Sequence, residues 1–165
     1  MAKVGLIMGS KSDFEVVKEC IDTLKSFGVE SDVIVSSAHR TPEQTVEWTK
    51  SAKSKGISVI VAFAGAAAHL AGVVASKTNL PVIAVPIAST TLGGLDSLLS
   101  SVQMPGGIPV ATMAIGKAGA KNAALYACQI IALNDNVLYE KLEQYRKDMA
   151  EKITKDNQSL ADLLK

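Results

Sequence analysis

Short apolar, β-branched runs alternate along this chain with longer stretches whose apolar positions recur every three to four residues, the pattern of βαβ units around a parallel sheet. The runs predict strands over 4–8, 29–36, 57–63, 81–86 and 109–114, and the stretches between them predict helices over 12–27, 42–55, 67–78, 94–102 and 118–133. Gly28 and Gly56 stand where the first two helices should stop, and Pro42 opens the second helix behind Thr41 as its cap. The third and fourth runs are apolar almost throughout, as strands are when helices cover both faces of their sheet. Right-handed crossovers then give a three-layer αβα sandwich with a parallel, flavodoxin-like strand order 2-1-3-4-5. From residue 135 onward Leu138, Leu142, Tyr145, Met149, Ile153, Leu160 and Leu163 mark one long amphipathic helix. Coming after a complete sheet, it is expected to pack on a neighbouring subunit, covering its own core being the alternative.

Length and composition narrow the class. The 165 residues suit a single catalytic domain, a core over 1–133 and the C-terminal helix over 135–165, and bury roughly two-thirds of the unfolded surface without staples. Hydrophobic residues at 48% with 12 glycines, against 20% charged residues, leave surplus apolar surface, so a homo-oligomer is expected. The net charge of +1 offers no footprint for nucleic acid or an anionic membrane. The apolar run 57–68 is too short to span a bilayer, and the apolar run before Lys11 is too brief for a signal peptide, which makes the cytoplasm the default location. Cys20 and Cys128 each sit on the apolar stripe of a predicted helix and read as buried, reduced core thiols.

Candidate chemistry gathers in three loops, each at the end of a predicted strand, where open α/β folds place their sites. Gly9-Ser10-Lys11-Ser12-Asp13 offers hydroxyls and backbone N–H groups to an anion, although a capped helix with Ser12 as N-cap would look similar. Asp13 would repel a phosphate, so a pair of ribose hydroxyls suits it better. Ser36-Ser37-Ala38-His39-Arg40-Thr41-Pro42 carries an arginine at a helix start, where its charge is disfavoured unless its forked donors grip a phosphate. His39 beside it can give and take a proton near neutrality. Ala64-Gly65-Ala66-Ala67-Ala68-His69-Leu70 supplies small walls, with His69 in the first turn of a helix, a position that favours the neutral ring and a role as orienting partner. Two histidines without neighbouring cysteines or a suitable carboxylate make no zinc set, and neither a dinucleotide fingerprint nor a P-loop is present.

The strings GSKSD, SAHRTP, AGAAAHLAG, PVIAVP, GLDSLLSSVQMPGGIPVAT and AIGKAGAKNAAL, in this order and at these intervals, closely resemble the bacterial N5-carboxyaminoimidazole ribonucleotide mutases of purine biosynthesis, often called PurE. The likeness runs from about residue 3 to residue 133. It implies a three-layer α/β subunit in a homo-octamer with sites at subunit boundaries, and a functional link to the ATP-dependent carboxyaminoimidazole ribonucleotide synthetase. The implied reaction moves a carboxyl group from the exocyclic nitrogen of an aminoimidazole ribonucleotide to the adjacent ring carbon. By motif, Ser10, Ser12, Asp13 and Arg40 would hold the phosphoribose, while Ser37, Ala38, Gly65, Ala67, His69 and Leu70 would shape the pocket around the base. His39 would be the acid and base, and the chemistry calls on no metal, biotin or nucleotide.

Ala66 and Ala71 depart from the common pattern, which has glycine and proline there, and Ala84 stands where glycine is common. The methyl of Ala66 is expected to narrow the pocket, at a further cost if that position has positive φ. Two rivals remain. A related carboxylase works on free carbon dioxide and the decarboxylated ribonucleotide, but its third loop lacks the histidine. A non-catalytic flavodoxin-like nucleotide-binding module would bind without turnover.

Overall fold

In the computed structural model, which describes residues 2–164, five parallel strands form one sheet in the order β2-β1-β3-β4-β5. The strands are β1 (Lys3–Met8), β2 (Glu30–Val35), β3 (Ile57–Gly65), β4 (Val82–Ile87) and β5 (Ala111–Thr112). The helices are α1 (Phe14–Ser26), α2 (Pro42–Ser51), α3 (Leu70–Ala75), α4 (Leu95–Val102), α5 (Lys117–Ala132) and α6 (Asn136–Leu163). Residues 1 and 165, the two ends of the expected domain, lie outside the described residues.

The two-residue period of the strands divides the core. Val4, Leu6 and Met8 of β1, with Val59, Val61 and Phe63 of β3, face a cluster completed by Val17, Cys20 and Leu24 of α1. Ala120, Ala123, Ala124 and Ala127 line the same cluster, and their small side chains let α5 lie close against the sheet and α1. Ile7, Ile60 and Ala62 point the other way, toward Trp48 of α2 and Leu70, Ala71 and Val74 of α3. The hydroxyl of Ser100 on α4 accepts the N–H of Ala68 at 2.8 Å, which ties α4 to the start of α3. Cys20 and Cys128 are both buried and unpaired. Burial pushes their thiols up to about 12 and about 11, so neither is a ready nucleophile.

Several elements depart from the expected bounds: α2 ends at Ser51 where 55 was expected, with a 3₁₀ turn over Lys53–Lys55 after it, β3 runs on to Gly65, and β5, α3 and the start of α1 differ as well. β5 shrinks to two residues, because Pro109 has no N–H to donate and an outermost strand has a partner on one side only. The chain still follows β4 beyond it, as Met113 and Gly116 donate to the carbonyls of Ala84 and Pro86. Helix α3 keeps six of the expected residues; its start is delayed because Ala66 sits at φ 54° and the chain must turn before it can coil, and past Ala75 the chain tightens into a turn in which the Lys77 N–H donates to the Val74 carbonyl. A 3₁₀ turn over Lys11–Asp13 precedes α1, and its cap is Ser10 in place of the expected Ser12, accepting the Ser12 N–H at 3.3 Å.

The long C-terminal helix does two things. Leu138 and Leu142 are buried, and the Tyr145 ring meets Phe27 edge-on at 5.5 Å between centroids, so its first half covers its own core. Met149, Ile153, Leu160 and Leu163 are exposed. No helix among the described residues is long and apolar enough to cross a membrane.

Candidate functional site

Parallel strands that end together leave a crevice beyond their C-terminal edge, and it is deepest where the strand order reverses. Here the reversal falls at β1, flanked by β2 and β3, and a cleft of about 350 Å³ opens there. Its walls bring together every residue named from the motifs for the phosphoribose, the base pocket and the acid–base role. Ser10, Ser12 and Asp13 come from the β1 exit, and Ser37, Ala38, His39 and Arg40 from the β2 exit. Gly65, Ala67, His69 and Leu70 come from the β3 exit. Gly9 and Ala64 also line it, as does Ser89, which follows β4 and belongs to none of the candidate loops.

Local chemistry fixes each loop. Ser36 is buried, with its hydroxyl 2.8 Å from that of Thr45 and 3.2 Å from that of Thr41. Thr41 does not cap α2 through its side chain; its hydroxyl accepts the Ser37 N–H at 2.9 Å and faces the Ser37 carbonyl at 3.2 Å. These bonds close a turn that thrusts His39 and Arg40 outward. The Arg40 Nη2 donates to the Gly9 carbonyl at 2.7 Å and its Nε to the Ser37 hydroxyl at 3.3 Å. The guanidinium is thereby held between the first and second loops, beside the serines of the β1 exit. An anion arriving there would meet a charged, oriented donor set.

The two histidines meet across 30 residues of sequence. Nε2 of His39 lies 3.1 Å from Nδ1 of His69, with the rings nearly perpendicular at 87°. One nitrogen must donate and the other accept. His69 sits immediately before α3, which fixes its backbone beside the His39 ring. Among the described residues no three His, Cys, Asp or Glu side chains group as a metal site would require.

Asp13 is the buried carboxylate of the cleft. Burial raises its pKa above the ordinary 3.8, against the opposing pull of the Ser12 hydroxyl, the Ser10 backbone and the Arg40 charge. The folded chain therefore holds this proton where the unfolded chain has released it, and its share of stability is lost as pH rises from 3.8 through the raised value. Asp13→Asn is accordingly expected to raise the melting temperature at pH 7. It should also weaken substrate about tenfold, through loss of a hydrogen bond to a charged group. Thermal melts and KM measured on the same preparation check both signs.

Ala66 corrects one expectation and bears out another. It is exposed and does not line the cleft, so its methyl does not narrow it. Its φ of 54° is nevertheless left-handed, which costs a residue with a β-carbon roughly 1–2 kcal/mol. Ala66→Gly is expected to stabilise the chain by up to about 1 kcal/mol, after allowing for the freer unfolded glycine. A denaturant midpoint that falls would show the strain to be absent.

Ser89 is the residue that the sequence motifs missed. The signal available for it was positional, because it lies just past a predicted strand, and no motif marked it.

The AIR carboxylase family model matches residues 3–152. A Saccharolobus solfataricus protein named N5-carboxyaminoimidazole ribonucleotide mutase is 55% identical over 149 residues, 90% of this chain and 93% of that one. A Bacillus subtilis protein of the same name is 50% identical over 157 residues, 95% and 97% of the two chains. The crystal structure of Treponema denticola PurE superposes with a TM-score of 0.88 at 31% identity, covering 97% of this chain and 99% of that one. With the match spanning sheet, cleft and most of the helices, the chain belongs to the AIR carboxylase family.

Proposed function

We propose that this chain catalyses the mutase step of purine biosynthesis, converting N5-carboxyaminoimidazole ribonucleotide into 4-carboxy-5-aminoimidazole ribonucleotide. One observation carries the reading: a proton-transfer residue, His39, shares a single cleft with the anchored Arg40 and the hydroxyls of Ser10 and Ser12. The phosphate rests on Ser10, Ser12 and Arg40, and Asp13 takes the ribose hydroxyls. Ser37, Ala38, Gly65, Ala67 and Leu70 wall the base, and His69 sets the orientation of His39.

The chemistry follows from that placement. His39 delivers a proton to the carbamate nitrogen, the N–C bond breaks with its electron pair left on that nitrogen, and carbon dioxide departs. The electron-rich ring carbon then attacks it, and the neutral His39 removes the proton from that carbon and restores aromaticity. Small alanine and glycine walls suit retention of a tiny apolar molecule between the two steps.

The chain acts as one catalytic domain in the cytoplasm, downstream of an ATP-dependent synthetase that makes the carbamate. It works as a homo-octamer with sites at subunit boundaries. Leu92, Leu95, Leu99 and Val102 support self-association, since they leave an apolar stripe exposed along and just before α4, as does the uncovered second half of α6. The histidine in the third loop favours the mutase over the carboxylase. The test is turnover of the carbamate ribonucleotide against that of the decarboxylated ribonucleotide plus bicarbonate. Faster use of the carbamate at low bicarbonate supports the mutase, and the reverse order assigns the chain to the carboxylase reaction.

A further inference from the structure

The β4 exit brings one more hydroxyl into the cleft, and the surrounding loop is built to hold it there. Ser97 is fully buried and its hydroxyl bonds the carbonyls of Ile87 at 3.0 Å and Gly94 at 2.8 Å. Thr90 donates to Asp96 at 2.7 Å. Ser89 is thus pinned from both sides, whereas its own hydroxyl makes no hydrogen bond among the described residues and lines the cleft. Gly65 is what admits it: a β-carbon there would stand 2.1 Å from Ser89 Oγ and 2.7 Å from its Cβ, closer than any side chain tolerates. The register pairs Gly65 with Ile87 and Met8 with Val35. Arg40 therefore enters the cleft from β2 and Ser89 from β4, on opposite sides of the β1 and β3 exits, the guanidinium resting on the Gly9 carbonyl and the Ser89 hydroxyl beside Gly65. If Arg40 holds the phosphate, Ser89 stands on the side of the third loop, whose small residues wall the base and its carboxyl group.

We propose that Ser89 is the hydrogen-bond donor to the migrating carboxyl group. The inference rests on the mutase reading above and adds a residue to it. As the N–C bond breaks and the new C–C bond forms, Ser89 keeps its own proton throughout. It donates a hydrogen bond to a carboxyl oxygen in the carbamate, to an oxygen of the freed carbon dioxide, and to the new carboxylate. Its function is to keep the carbon dioxide beside the ring carbon, so its loss should let the intermediate leak before it slows any proton transfer.

The experiment is a single-turnover reaction with the carbamate ribonucleotide in bicarbonate-free buffer, reading the ratio of decarboxylated to 4-carboxy ribonucleotide. Ser89→Ala is expected to raise that ratio about tenfold over wild type, and Ser89→Thr, which keeps the hydroxyl, to restore most of the coupling. A wild-type ratio in the alanine variant overturns the proposal, as does a threonine variant that leaks as much as alanine. A wild-type chain that leaves the carbamate unchanged overturns the mutase reading together with it, which separates the two failures.

Discussion

Replacing His39 by asparagine should lower turnover of the carbamate ribonucleotide by roughly a thousandfold, within the 10²–10⁴ that a positioned acid and base contributes, while the ribonucleotide still binds. Asparagine keeps a polar side chain toward Nδ1 of His69, the group 3.1 Å from the native ring, so the loop has no reason to collapse. What it lacks is a group that can release a proton to the carbamate nitrogen and later collect one from the ring carbon. The loss should appear in kcat, since the anchored Arg40 and the serines that would hold the phosphate are untouched. Steady-state kinetics paired with calorimetric titration of the decarboxylated ribonucleotide separates the two quantities. Near-normal kcat in this variant would remove His39 from the reaction.

Arg40→Ala should do the converse, raising KM about a hundredfold, the worth of ~3 kcal/mol for lost charge-assisted hydrogen bonds to phosphate, with a smaller change in kcat. The guanidinium is fixed by the Gly9 carbonyl and the Ser37 hydroxyl, so its geometry is paid for before the ligand arrives. Lysine should recover only part of the affinity, because a single ammonium cannot hold the Gly9 carbonyl and present a planar fork to phosphate together. A melting curve close to wild type would show that the two lost loop contacts are not what the kinetics report. An unchanged KM would contradict the phosphate role.

Much of this architecture is legible in the chain because its signals are local. The apolar alternation of β1, the buried positions 17, 20 and 24 of α1 and the glycines at φ 77° and 81° that end the first two helical stretches each act within a few residues. The sheet order follows from connection rules that need no side-chain detail. Elements set by distant partners, or by a backbone conformation that no side chain announces, were harder. The shortening of β5 depends on its place at the sheet edge, and that of α3 on a left-handed alanine whose side chain carries no turn signal. Within the cleft, candidate residues were legible because motif and strand exit coincide. The His39–His69 bond was not, since only the sheet brings residues 39 and 69 together. Ser89 escaped for a related reason: its place in the cleft depends on the missing side chain of Gly65 in the adjacent strand.

A crystal structure of the chain with 4-carboxy-5-aminoimidazole ribonucleotide bound tests the central claim most directly. A ring nitrogen of His39 is expected within about 3.5 Å of the carbon that bears the carboxylate, with the phosphate on Ser10, Ser12 and Arg40. A ligand seated with its phosphate elsewhere, or an imidazole turned away beyond the reach of one bridging water, would contradict it.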